Sequence, residues 1–135
     1  MTTYSPDPSN VAAYLVVALK RLSAPCEEQV SILEGIGVPV DELALDFDSA
    51  VHTLWVLSEA GLITGELVAP LNEINGLLSA ISGEENASYW TVAALCHEDV
   101  WNEVRQRSQD VLRVMSENEA LAAVVDGVEA DDPRY

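Results

Sequence analysis

The side chains best able to hold a metal or act as nucleophiles are few: two histidines, two cysteines and a large excess of carboxylates. Neither histidine stands in His-Glu-x-x-His or Glu-x-x-His spacing, the patterns that bring two ligands to one helix face. His97 precedes Glu98 and Asp99, but neighbours on a helix point about 100° apart. It reads as a helix-start histidine on an apolar face, and Asp46-Phe47-Asp48 lacks the further oxygen ligands and the glycine of a calcium loop. Cys96 adjoins His97, yet that same adjacency turns nucleophile and base away from each other. No Gly-x-Ser-x-Gly elbow, phosphate loop or dinucleotide fingerprint is present. Cys26 and Cys96 form neither a disulfide framework nor a metal spacing, and their apolar flanks predict reduced, buried and inert thiols. The expectation is a protein that is not an enzyme and has no cofactor or metal.

What the carboxylates do is set by their distribution. From Leu22 to Val104 there are 15 Asp and Glu and not one Lys or Arg; all six basic residues lie outside this stretch. The net charge is −17. Nucleic acids and anionic membranes draw their affinity from Lys and Arg, so both are excluded as partners. A one-signed surface repels itself unless something basic covers it. On the last long helix, Glu103 can pair with Arg107, and Asp110 and Glu117 with Arg113; Arg105 is one turn from Trp101 and placed to stack on it. The uncompensated charge is then on residues 27–85.

The elements that position these groups are helical throughout. With 135 residues and 49% apolar composition the chain can bury one core. Residues 1–8 read as an extended leader and 9–117 as a helical domain, with 118–135 an acidic tail, part helical, that frays after Glu129. Ser9 is placed to cap a first helix over 10–23, greasy on all sides and therefore central. A short second helix follows Pro25 and ends near Gly35. A third runs from Asp41 or Asp46 to Ala60, with Gly61 closing it. A fourth spans 65–82, kinked or delayed to residue 69 by Pro70. Asn86 or Ser88 caps a short helix near 89–96, and a long one follows near 98–116. No period-2 strand signal occurs. The fold class is all-α, a single-domain bundle of about five to six helices.

On the third helix Phe47, Ala50, Val51, Leu54 and Leu57 make a core stripe, while Asp48, His52, Trp55 and Glu59 lie opposite. A Trp among acids, away from the core face, suits a binding hot spot. The rival reading, slightly favoured because a five-helix domain often covers two faces of one helix, packs Trp55 against a neighbouring helix. The partner-binding set is Asp41, Asp48, His52, Trp55, Glu59, Glu66, Glu73, Glu84, Glu85 and Tyr89, with Tyr89 and Trp90 as the next anchors should Trp55 be enclosed.

Leu62-Ile63, Leu77-Leu78, Trp90-Thr91 with Ala94-Leu95, and Trp101 with Val104-Arg105 and Leu112 resemble the C-terminal half of helical actinobacterial immunity proteins. Such proteins neutralise secreted toxins in polymorphic-toxin and contact-dependent systems. The chain is also similar in size and charge to the acidic inhibitors of nuclease colicins. It lacks their Asp-x-x-Tyr-Tyr-Pro signature, so no binding residue carries over from them. The resemblance implies inhibition by occlusion, an acidic face covering a toxin's basic surface. The expectation is a cytoplasmic, non-catalytic protein, monomeric or a weak homodimer, bound to a basic protein such as a cognate toxin. Two alternatives stand beside it: a DNA-mimic or adaptor acting on a nucleic-acid-binding protein, and a helical enzyme or ligand-binding domain whose polar groups converge only in the fold. High-salt adaptation is a further explanation of the acidity. The N-terminus has no basic region, and Val11 to Leu19 is too short an apolar run to span a membrane.

Overall fold

The computed structural model describes residues 7–135, so residues 1–6 of the expected leader lie outside it. Eight α-helices follow one another among the described residues, with no strand. They are α1 (Pro8–Ser23), α2 (Cys26–Ile36), α3 (Asp41–Val51), α4 (Leu54–Glu59), α5 (Gly65–Ala80), α6 (Val92–His97), α7 (Asp99–Ser116) and α8 (Glu119–Gly127). A 3-10 segment, Glu84–Trp90, joins α5 to α6. The all-α class holds; the count of five to six helices does not.

The helix α1 is the axis of the bundle. The Asp7 carboxylate, not Ser9, caps it by accepting from the Ser9 amide at 2.9 Å, and Pro8 takes the first turn where no N–H is needed. Val11, Ala13, Leu15, Val16, Val17, Ala18, Leu19 and Leu22 are buried around its circumference. It packs against α2, α3, α4, α7 and α8, as its all-round apolar surface requires.

The expected third helix is two. Thr53 leaves helical geometry at φ −108°, ψ 8°, and its hydroxyl donates to the Ala50 carbonyl at 3.0 Å. A local side-chain bond thus competes with the helix ladder and ends α3. Phe47, Ala50, Leu54 and Leu57 are nevertheless buried, so the core stripe runs across the break. Pro70 neither delays nor ends α5. It falls early in the helix, and the carbonyl it leaves unpaired belongs to exposed Glu66.

Thr91, rather than Asn86 or Ser88, caps α6, its hydroxyl accepting from the Ala94 amide at 3.1 Å. Extended backbone at Glu98 separates α6 from α7. His97 therefore ends α6 instead of starting a helix, and it is exposed.

The C-terminal region is bound to the bundle rather than frayed. Asn118 caps α8 by accepting from the Ala120 amide at 2.9 Å, and Leu121 and Val125 are buried. Lys20 donates to the carbonyls of Val125 and Val128, where α8 ends. Arg21, only 5% exposed, donates to the carbonyls of Ala130 (2.6 Å) and Tyr135 (3.0 Å) and to the Asp46 carboxylate (3.3 Å). The Tyr135 ring meets Tyr14 edge to face at 6.2 Å. These cations lie at the C-terminal end of α1, where the helix dipole favours them.

Two further expectations are corrected. Cys26 and Cys96, 70 residues apart, are joined in a disulfide that ties the start of α2 to α6, and both are half-buried rather than enclosed. Sequence distance had hidden the packing of α2 on α6. Arg105 does not stack on Trp101, whose ring is fully buried edge to face against Trp90 at 5.3 Å. It turns inward instead, donating to Gln29 Oε1 (2.7 Å), the Leu95 carbonyl (2.9 Å) and Asn102 Oδ1 (2.8 Å).

Candidate functional site

Trp55 is 54% exposed on α4, so the arrangement that packed it under another helix is wrong. Its neighbours in the chain, Val56 and Leu57, take the inward positions of this short helix. His52 and Glu59, one turn to either side of Trp55, are exposed as well. The His52 ring nitrogen Nδ1 lies 2.7 Å from the Asp48 carbonyl and 3.7 Å from the Asp48 carboxylate. Asp48 also accepts from Asn75 Nδ2 at 3.1 Å, which fixes the end of α3 against α5.

The other expected binding residues separate into distinct surroundings. Asp41 and Glu84 meet across one cleft, formed between α3 and the 3-10 segment. Glu66 lines a shallow apolar groove with Leu67, Pro70 and Val114 between α5 and α7. Glu85 is exposed near the turn at Gly83. Glu73 is not an uncompensated charge: Arg107 reaches it from α7 at 2.8 Å while also holding Glu103 at 2.9 Å. Those two carboxylates hold the Arg107 pKa above its ordinary value, the Glu103 hydrogen bond being the larger cause. Asp46 is likewise paired, with Arg21. The negative field of residues 27–85 is thus trimmed from both ends of the sequence. Tyr89 is half-buried against the core, and its backbone carbonyl accepts from the Trp101 indole at 2.8 Å.

Several residues were missed by sequence reasoning. Leu45, at 58% exposed, is an uncovered large apolar side chain on the acidic face of α3. A periodicity count could have found it, because Asp41, Leu45, Asp48 and His52 recur at helical spacing. A cleft of about 930 Å³ lies between α2 and the C-terminal segment, with Glu28, Ile32, Ile36, Glu129 and Asp131 among its lining. No local signal marks it, since its walls are about a hundred residues apart. Among the described residues no three His, Cys, Asp or Glu side chains converge in a way that could hold a metal ion. No helix of these residues is long and apolar enough to cross a membrane.

Comparison with known proteins gives no match, whether with family models, with curated proteins or with solved structures.

Proposed function

We propose that this is a non-catalytic acidic protein that inhibits a basic partner by covering its surface, the partner being a cognate bacterial toxin. The observation that carries the reading is Trp55, 54% exposed beside His52 and Glu59 on a stretch without a basic residue. An exposed Trp with Glu59 one turn along the same helix supplies both parts of a recognition surface. The ring gives apolar area for a central anchor, and the carboxylates steer a positively charged protein into register. The resemblance to immunity proteins supplies the partner class and the cytoplasm as the place of action.

The test is to capture the partner with the purified protein and measure affinity for Trp55→Ala. We expect folding stability to stay within about 1 kcal/mol while affinity falls by about 2 kcal/mol, roughly thirtyfold. Asp48→Ala and Glu59→Ala are expected to slow association and to blunt its salt dependence. Association that is indifferent to salt, or a Trp55→Ala protein that binds unchanged, refutes the reading.

A further inference from the structure

The acidic face of α3 does not stop at Asp48. Asp41, Leu45, Asp48 and His52 stand at i, i+4, i+7 and i+11, within about 60° of one another and over roughly 16 Å of helix. At the N-terminal end of this row the surface folds into a cleft of about 450 Å³. Its lining includes Ala44, Leu45, Ala87 and Trp90, with carboxylates at Asp41 and Glu84. The two acids come from different elements, and neither has an ion-pair partner among the described residues. Trp90 is fixed in its wall: its indole donates to the Ile81 carbonyl at 2.7 Å, and the ring packs edge to face on buried Trp101.

The turn that delivers Glu84 requires a glycine. Gly83 has φ +106°, which side-chain-bearing residues rarely adopt, and a Cβ there would meet the Glu85 carboxylate oxygens at 3.0 Å. On the other wall the first turn of α3 carries Asp41, which lines the cleft, and Glu42, which does not. Burial, and after it the nearby Asp46 carboxylate, pushes the Glu42 carboxyl above its ordinary value. The cleft thus combines an uncovered apolar floor with a rim of one sign.

We propose that this cleft receives a single arginine or lysine side chain of the basic partner, its methylene stem lying on Leu45 and Ala87 and its charge between Asp41 and Glu84. The charge complementarity selects the occupant. An apolar side chain would leave both carboxylates desolvated without a counter-charge, and an anion would be repelled. A long cationic side chain buries its stem while keeping the head at a polar rim. The inference rests on the occlusion reading above and assigns to it a second anchor, at the opposite end of the row from Trp55.

The experiment is an amide chemical-shift titration of the intact protein with the blocked peptide Ac-Gly-Arg-Gly-NH2 and its lysine counterpart. Peptides carrying citrulline or norleucine in place of the cation serve as controls. The expected result is saturable shifts confined to Leu45, Gly83, Glu84, Ala87 and the Trp90 indole for the two cationic peptides, and none of comparable size for the controls. Asp41→Asn combined with Glu84→Gln is expected to weaken binding at least tenfold, with the rest of the spectrum unchanged as evidence of an intact fold. Non-saturating shifts spread over the exposed carboxylates overturn the cleft, as does equal binding of the norleucine peptide or no response at all. None of these outcomes touches the Trp55 test, so failure of the cleft and failure of the occlusion reading are separable.

Discussion

Gln29 receives the Arg105 guanidinium at 2.7 Å and passes the connection on, its amide nitrogen donating to the carbonyls of Arg21 (2.9 Å) and Leu22 (3.1 Å). One side chain with no exposed surface thereby joins α2 to α7 and to the open last turn of α1. The Leu95 carbonyl and Asn102 complete the set of acceptors around Arg105. Among the described residues no carboxylate forms an ion pair with this guanidinium; burial lowers its pKa from the ordinary value, against a smaller opposing pull from the Glu27 charge. The charge is held by neutral acceptors.

Removing one member should therefore be costly. Gln29→Leu keeps the volume but takes an acceptor from a buried charge and a donor from two α1 carbonyls. A loss of about 3 kcal/mol is expected, in the range for breaking a buried charged hydrogen bond. Urea unfolding with an unchanged slope measures it; a loss under about 1 kcal/mol contradicts the role given to Gln29.

The Cys26–Cys96 bond closes a loop of 70 residues in sequence. In the chain-entropy account such closure stabilises the fold by about 4 kcal/mol at most, through the unfolded state. A reducing compartment would open the pair to thiols. The bundle should survive this, because Gln29 and Arg105 hold α2 independently of the sulfur bridge. Reduction is expected to expose two titratable thiols and to lower the melting temperature while the helical circular dichroism at 25 °C stays intact. Loss of that signal on reduction would show that α2 depends on the disulfide alone.

Asp132 is held down to a pKa of about 2, first by the side-chain hydrogen bond from Arg134 and next by the bond from its backbone amide. The Arg134 guanidinium lies 2.7 Å from the carboxylate and 5.5 Å from the centre of the Tyr135 ring. A depressed carboxylate pKa adds stability that is complete above its unfolded value of 3.8 and lost as pH falls through about 2. Carboxyl-detected NMR should place the Asp132 midpoint near 2 in the native protein. Arg134→Ala should raise that midpoint toward 3.8 and leave the other carboxylates unmoved. An ordinary midpoint in the native protein is incompatible with this pair.

The sequence by itself determined what depends on neighbours along the chain. Apolar spacing announced a central α1 and the core stripe Phe47–Leu57, because burial of a 3.6-residue periodicity is a local demand. Charge segregation between residues 22 and 104 was likewise plain in the order of residues. The break at Thr53 was not, since a hydroxyl that bonds a carbonyl or points to water is the same letter either way. That part of residues 118–135 is helical was expected, but the docking of α8 was not: its small residues give a weak stripe that packing onto α1 and α7 makes sufficient. Only tertiary structure could bring Cys26 to Cys96, Arg105 to Gln29, Arg107 to Glu73 and Arg21 to the final residue. Each of these pairs joins segments that meet because their helices pack, and packing is decided by the whole core rather than by either partner. The exposure of Trp55 belongs to the same class. Its place opposite the core stripe was legible, but whether another helix covers that side depends on how the helices on either side of it are arranged.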